Sequence, residues 1–448
     1  MRIVIAGAGT IGTNLASALV KEGQDVIVID SDERALAQLE ASTDCQTVAG
    51  DATSALVLEE LGLRHTDLVV AVTNDDAKNM TVCRLAEFYN VPQKLARLRN
   101  PEYTDPDCPI PSEHFGIDHI ISPEGLAVEL IDRLVACPGA REAIDFERGR
   151  IALRAFVVTD ESPIAGERII DIDQSIDGKF LVAAIRRSGR VIVPDGKESL
   201  RVGDTVYVVS EPDMVNRLAS AFDPQARVAK NAIIAGASVT GLQVARRLAG
   251  RLQRVTVIEA DERLAHRAAA ELDRLGAEVL CGSPLDIDLL TRSNFDNADY
   301  FLALSDNDES NFMSALLYRK YAFGVPIVLS HQLHYMDILE SVDLDMVINP
   351  RVLAVSSLLR LIRGDQVLSA AKLHSEEIEA LELAVGDSAP VAGIPIAKLQ
   401  LPAGILMAAV LRDQSLHIPG GAFVLRAGDR VLVFADQRGL HQVEALFT

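Results

Sequence analysis

A duplicated α/β fold is what this sequence predicts, with doubly wound parallel sheets alternating with small α+β domains, and three observations predict it. The chain opens on a strand that runs straight into a glycine-rich turn and a helix. The same opening recurs near mid-chain, and each copy is followed by short β-branched runs broken by Gly, Pro and Asp. A strand–turn–helix–strand opening begins a parallel sheet covered by helices, whereas closely spaced strand and turn signals mark a small strand-rich unit.

The repeat decides the domain order. Residues 3–16, IVIAGAGTIGTNLA, face residues 232–245, AIIAGASVTGLQVA. DVIVIDSDER at 25–34 faces RVTVIEADER at 254–263, AVTNDDAKNM at 71–80 faces ALSDNDESNF at 303–312, and DHIISPEGLA at 118–127 faces DMVINPRVLA at 345–354. The tails match as well, with LRVGDTVYVV at 200–209 facing LRAGDRVLVF at 425–434. Matches in this order make the chain a duplication. Boundaries fall where the hydrophobic period changes, giving domains at 1–140, 141–225, 226–369 and 370–448. Phe222-Asp223-Pro224-Gln225 forms the joint between the halves.

Composition bounds the function. Of 448 residues, 49% are hydrophobic and only 4% aromatic, with no Trp, so the cores are built on aliphatic side chains. A formal charge of −21 argues against a nucleic-acid partner and against adhesion to anionic lipid, both of which need a basic face. The N-terminus lacks the pattern of a signal peptide, and no run of about 18 apolar residues occurs, so no segment is expected to insert in a membrane. Cys45, Cys83, Cys108, Cys137 and Cys281 have neither zinc-site nor redox-pair spacing and are expected to be reduced, mostly buried thiols.

The first turn, Gly7-Ala8-Gly9-Thr10-Ile11-Gly12, follows the strand Arg2–Ala6 and precedes a helix expected at Thr13–Glu22. That context turns a weak glycine pattern into the Rossmann dinucleotide fingerprint. Gly7 permits the tight turn, Gly9 lets the backbone approach a pyrophosphate, and Gly12 lets helix and strand pack closely. The diphosphate then sits at a helix N-terminus, where amide groups are free and the dipole is positive. Asp30 ends the second strand and is placed to accept ribose hydroxyls, which favours NAD(H) or an adenine nucleotide over NADP. Asp51-Ala52-Thr53 follows a strand near Thr47–Ala49, and Thr73-Asn74-Asp75 follows Leu68–Val72. Both loops are expected at the same crevice, Asp51 toward adenine or ribose and Thr73 with Asn74 toward phosphate or nicotinamide. As helix N-caps they would need no ligand. Arg97 ends a fifth strand and can neutralise a diphosphate, with Arg99 competing for that role or for a surface ion pair.

The second copy departs from this pattern. Ser238 replaces the middle glycine in Gly236-Ala237-Ser238-Val239-Thr240-Gly241, Ser283 replaces Asp51, and His331 is expected where Arg97 would be, while Glu259 keeps the ribose carboxylate. The first half is therefore the better dinucleotide site, and the second is either structural or specific for a smaller ligand.

An oxidoreductase would need an acid/base beside the nicotinamide. Residues 151–222 contain no His and no Cys, and His417 and His441 sit in no recognisable pairing. No nucleophile elbow, zinc-protease helix or P-loop occurs, and Asp306 with Asp308 lacks the rest of a calcium loop. The chain is thus expected to bind without chemistry, with no catalytic residues and no metal.

GAGTIG, Asp30, GDAT, TNDDAKN, ARLRNPEY and ISPEG, in that order, resemble the RCK/KTN family of cytosolic nucleotide-binding modules that regulate potassium channels and transporters. IAGERIIDI and LRVGDTVYVV resemble its companion C-terminal module. The resemblance covers essentially the whole chain and implies a non-enzymatic regulatory subunit, cytoplasmic and peripheral on the inner face of the cell membrane. It implies a homo-oligomer, a tetramer of tandem chains, gating an integral membrane potassium-translocating subunit. It also implies NAD(H) as ligand, with ATP or ADP in some members. The alternatives from the sequence are a soluble NAD-dependent oxidoreductase and a regulator of another membrane transporter.

Overall fold

The computed structural model describes residues 1–448 apart from 105–107, 195, 333–334, 336–341, 343, 345, 363–366, 374–377, 400, 402–403, 437–438, 440–441, 444–445 and 448. His441 therefore lies outside the described residues. The chain forms two compact units. One comprises Met1–Glu129 with Leu329–Asp337 and Ile348–Ile362, and the other comprises the remainder.

In the first unit, β1 (Arg2–Ala6), α1 (Thr10–Lys21), β2 (Asp25–Asp30), α2 (Glu33–Glu40), β3 (Gln46–Ala49), α3 (Ala55–Glu60), β4 (Leu68–Ala71), α4 (Asp76–Phe88), β5 (Gln93–Arg97) and β6 (His119–Ile121) alternate along the chain, and α5 (Pro123–Ala136) follows. The sheet order is β3-β2-β1-β4-β5-β6, and every pair is parallel. The order reverses direction between β1 and β4, which is where open sheets of this kind hold ligands at the carboxyl ends of their strands.

The near-continuous apolar run of β1 reflects burial on both faces. Ile3 and Ile5 pack toward Leu15 and Leu19 of α1, whereas Val4 and Ala6 pack toward Leu58 of α3 and Val82 of α4. Helix α1 begins at Thr10, three residues before the start expected from sequence, because Gly9 already takes the extended N-cap conformation and Thr13 N–H closes the first turn onto the Gly9 carbonyl.

The other unit starts its strands with β7 (Ala140–Phe146), β8 (Ile151–Val157), α6 (Ile169–Ser175), β9 (Phe180–Arg187), β10 (Arg190–Ile192), β11 (Thr205–Ser210) and α7 (Val215–Phe222). These five strands form the sheet β10-β9-β11-β8-β7, antiparallel throughout. A second parallel sheet follows: β12 (Asn231–Ala235), α8 (Val239–Ala249), β13 (Arg254–Glu259), α9 (Glu262–Leu272), β14 (Glu278–Cys281), α10 (Ile287–Arg292), β15 (Tyr300–Ala303), α11 (Asp308–Tyr321), β16 (Val325–Leu329) and β17 (Val347–Ile348). Its order, β14-β13-β12-β15-β16-β17, repeats the first. Helix α12 (Pro350–Ile362) then packs in the first unit, its Ala354, Leu358 and Ile362 entering the α1 side of that core. Strands β18 (Val367–Leu373), β19 (Ile378–Ala384), β20 (Ile405–Arg412), β21 (Ser415–His417) and β22 (Arg430–Asp436) make a second antiparallel sheet, β18-β19-β22-β20-β21.

The repeated Gly-Asp of LRVGD and LRAGD has one physical cause in both tails. Asp204 accepts the Arg201 amide at 2.8 Å and two guanidinium bonds from Arg187. Asp429 accepts the Arg426 amide at 2.8 Å and two from Arg412. Each buried carboxylate closes the turn and ties it to the neighbouring strand through a bidentate, charge-assisted pair.

The two antiparallel sheets share a core containing Phe146, Tyr207 and Val209 from one and Ile378, Leu432 and Phe434 from the other. A carboxyl pair is buried at this junction. The Glu147 amide donates to Glu382 at 3.3 Å, and Arg430 and Arg150 both pair with the Glu147 carboxylate. Burial, then the hydrogen bond to Glu147 and its charge, push Glu382 up to about 8. Burial also works to raise Glu147, but the hydrogen bond to Glu382 and the two arginines outweigh it and hold that group below its ordinary value. The pair thus keeps one proton, on Glu382, through the neutral range. Unfolding releases it, so stability that is full below about pH 4.5 is lost as the pH rises to about 8. The depressed Glu147 acts only at lower pH. The unfolding temperature should therefore fall between about pH 5 and 8, and Glu382→Gln should flatten that slope in thermal denaturation. Equal slopes in both proteins would show that the pair holds no such proton.

Candidate functional site

The first glycine turn joins the end of β1 to α1, and its three glycines answer to three different constraints. Gly7 has a φ of +117°, and a Cβ there would lie 3.0 Å from the Thr73 amide nitrogen. At Gly12 a Cβ would lie 1.8 Å from the Gly7 carbonyl oxygen, so helix and strand could not approach as they do. Gly9 is different. Its φ of −72° and ψ of −177° suit any residue, and a Cβ there would meet no protein atom within 4 Å. Neither backbone conformation nor the protein's own packing requires glycine at this position. Gly9 is the N-cap of α1, and the space beside it is open.

Helix α1 has no side-chain cap at Gly9, so its first-turn amides face outward with the positive end of the helix dipole. Ala8 and Ile11 are buried and contribute backbone and packing. Asp30 accepts the Ala8 amide on one oxygen at 2.6 Å and the Asp32 amide on the other at 2.9 Å. Each oxygen retains acceptor capacity for a hydroxyl.

The two loops expected at the crevice are largely occupied with their own order. Asp51 accepts the Thr53 amide and hydroxyl, which in that order hold its carboxyl below the usual range, and Ala52 is buried. Both the amide and the hydroxyl of Thr73 donate to Oδ1 of the fully buried Asn79, at 2.9 and 2.7 Å. Asp75 caps α4 by accepting the Lys78 amide at 3.0 Å. Asp75 is therefore a helix N-cap, whereas Thr73 is held by Asn79, which also donates to the Arg97 carbonyl at 2.8 Å and fastens the loop to β5.

Charge gathers beside the turn. Arg97 is largely buried, donates to Asn74 at 3.2 Å and lies 3.9 Å from Glu124. Arg99 donates to Glu124 at 3.2 Å. Arg351, at the start of α12, donates to the Thr10 hydroxyl at 3.1 Å. Burial lowers the Arg97 guanidinium below its ordinary value, Glu124 opposes this, and Arg99 and Arg351 add to the lowering. Nε of Arg97 and Oε2 of Glu124 are buried with no hydrogen-bond partner. Arg97 and Arg99 share the Glu124 carboxylate, Asp76 also acts on Arg97, and Arg351 stands at the Thr10 hydroxyl, so three guanidiniums gather beside an open helix N-terminus, a donor set that fits a diphosphate. Arg351 comes from the other half of the chain, so local sequence does not place it beside this turn. The repeat held a signal, since Arg351 occupies the place of Glu124.

In the second half, β16 ends at Leu329, one residue before Ser330 bonds Ile348, as Arg97 stands one residue before Leu98 bonds Ile121. Leu329 is thus the counterpart of Arg97, and His331 is the counterpart of Arg99. The expectation for His331 is corrected accordingly. The five cysteines are free, but only Cys83 and Cys137 are buried, and burial pushes them up to about 12 and about 11. Cys45 and Cys108 are half-buried and Cys281 is exposed, so the expectation of mostly buried thiols is also corrected. Among the described residues no group of three or more His, Cys, Asp or Glu could hold a metal ion.

Known proteins are similar to this chain in sequence and fold. The TrkA-N domain family matches residues 3–123 and 232–350, and the TrkA-C domain family matches 153–223 and 380–448. The fold and glycine turn therefore define a chain of tandem TrkA-N and TrkA-C domains. The Trk system potassium uptake protein TrkA of Vibrio alginolyticus is 32% identical over 100% of this chain and 98% of its own length. That of Haemophilus influenzae is 30% identical over 100% and 98%, and the TrkA homolog of Archaeoglobus fulgidus is 30% identical over the full length of both. This chain belongs to the TrkA family. In fold it is similar to the crystal structure of the GsuK RCK domain, with a TM-score of 0.64 at 16% identity, covering 100% of this chain and 94% of that one. The GsuK channel bound to NAD superposes with a TM-score of 0.63 at 16% identity, over 100% of this chain and 78% of that one.

The three glycine constraints separate in a stability measurement. Gly12→Ala should lower stability by about 1–3 kcal/mol or more through overpacking. Gly9→Ala should leave the unfolding temperature of the ligand-free chain almost unchanged, because its Cβ enters open space. Equal losses in thermal denaturation would contradict these assignments.

Proposed function

We propose that this chain is the nucleotide-sensing regulatory subunit of a potassium-uptake system, not an enzyme, and that it binds NAD(H), or ATP or ADP, at its first glycine turn. The observation that carries the reading is Gly9, a glycine with open space beside it, set at a helix with no side-chain cap near Arg97, Arg99 and Arg351. Gly7, Ala8, Gly9, Thr10, Ile11 and Gly12 form the diphosphate cradle, and Asp30 takes the ribose hydroxyls. Asp51, Ala52 and Thr53 edge the sugar side, with Thr73, Asn74 and Asp75 across the crevice. The carboxylate of Asp30 disfavours a 2′-phosphate, which supports NAD(H) over NADP. The domains are taken as 1–140, 141–225, 226–369 and 370–448. The names of the curated relatives support potassium uptake as the process, and the GsuK channel bound to NAD supports the ligand.

The partner in this reading is an integral membrane potassium-translocating subunit, beneath which the chain assembles as a homotetramer on the cytoplasmic face. Among the described residues no helix is long and apolar enough to cross a membrane, so attachment runs through that partner. Regulation requires that the ligand bind one state better than another. A diphosphate touching both the α1 amides and Arg351 would join the first half of the chain to a helix of the second half, and so would favour the state in which α12 lies against α1.

Potassium uptake in cells lacking the gene tests this. The native chain should restore regulated uptake and Gly9→Asp should not, since a carboxylate in the cradle repels the diphosphate. Unaltered uptake on deletion would refute the potassium assignment. Arg351→Ala should weaken NAD binding by roughly 10-fold or more, the usual cost of losing a charge-assisted hydrogen bond, in calorimetry. An unchanged affinity would remove Arg351 from the site.

A further inference from the structure

The two halves differ at the one turn position whose glycine the protein's own packing does not demand. Gly236 and Gly241 are both retained, and both are required by contact. A Cβ on Gly236 would lie 2.6 Å from the Ser305 backbone, and one on Gly241 would lie 2.2 Å from the Gly236 carbonyl oxygen. Only the counterpart of Gly9 has changed, to Ser238.

The backbone at Ser238, with φ −61° and ψ 171°, is close to that of Gly9, so the turn keeps its shape and the difference lies in the side chain alone. Ser238 Oγ accepts the Gly241 amide at 3.1 Å and its hydroxyl donates to the Leu304 carbonyl. An amide of the α8 first turn that a phosphate oxygen would need is therefore already satisfied. Expelling the hydroxyl would leave the carbonyl of the fully buried Leu304 without its Ser238 donor. Charge has gone as well. Leu329, almost fully buried, is the counterpart of the Arg97 cation, and Ser283 is the counterpart of Asp51. Glu259 still accepts the Ala237 amide at 2.6 Å and the Asp261 amide at 2.8 Å, as Asp30 does in the first half, and that pair of bonds holds the turn whether or not a sugar is present.

We infer that the chain carries one nucleoside-diphosphate site, in its first half, and that the second glycine turn is filled from within by the Ser238 hydroxyl standing where a phosphate oxygen would be. The inference rests on the nucleotide reading of the first turn. It makes Ser238 and Leu329 the specificity-determining residues of the second half, and it makes the ligand response of each chain asymmetric by construction.

Calorimetric titration of the full-length chain with NAD tests it, using the native protein, Gly9→Asp and Ser238→Asp. Aspartate caps helices as well as serine does, so Ser238→Asp keeps the α8 cap. The expected result is one NAD per native chain, none for Gly9→Asp, and one for Ser238→Asp with unchanged affinity. Two NAD per native chain, with one lost in Gly9→Asp and one lost in Ser238→Asp, would overturn the inference while leaving the nucleotide reading of the first turn standing; a single NAD that survives Gly9→Asp or is lost in Ser238→Asp would overturn both. No binding by the native chain would overturn both.

Discussion

Everything at the candidate site depends on how closely α1 approaches the end of β1, with Gly12 lying so near the Gly7 carbonyl that no Cβ fits between them. That contact sets the helix axis against the sheet and points its first-turn amides at the carboxyl edge. It also fixes Ala8, whose amide locks Asp30 at the end of β2. The same contact recurs between Gly241 and Gly236, with Glu259 taking the amide of Ala237. The scaffold is thus a steric device that both halves preserve. In the proposed reading, ligand chemistry is laid over it separately, through Gly9 and the arginines in one half and through Ser238 and Leu329 in the other.

On the proposed reading, this separation explains how a duplicated chain can retain two folded sheets and specialise only one of them. Glycines that serve packing cannot change without overfilling the core. A glycine that serves only a ligand is free to change once the ligand is no longer bound there, and serine then stabilises the helix by capping it. The strand-rich tails follow the same logic in a different material. Asp204 with Arg187 and Asp429 with Arg412 preserve identical turns. The junction between the two antiparallel sheets is asymmetric, since Glu147 and Glu382 come from different repeats and share one proton.

Much of this was legible in the sequence because it is local. Strand, turn, helix and acidic strand end lie within the first 30 residues, and each glycine's role follows from its place in that succession. The repeat was legible because collinear matches need no structure. What escaped is what the chain brings together over long distances or what a side chain does once folded. Arg351 reaches Thr10 across 341 positions. Thr73 reads as a free donor in sequence, yet Asn79, six residues on, takes both its amide and its hydroxyl. The match of 71–80 with 303–312 carries an offset of 232 residues, which sets His331 against Arg99 and not, as expected, against Arg97. The Glu147–Glu382 pair follows from no pattern, because nothing in a lone glutamate announces a buried partner in another repeat.

On this reading the first glycine turn is open to a diphosphate and the second is closed by its own serine. Amide hydrogen exchange with and without NAD addresses it most directly. NAD should slow exchange at Thr10, Ile11 and Gly12 and leave Gly241, already bonded to Ser238, as slow as before. Equal slowing in both turns, or slowing at 239–241 alone, would contradict it.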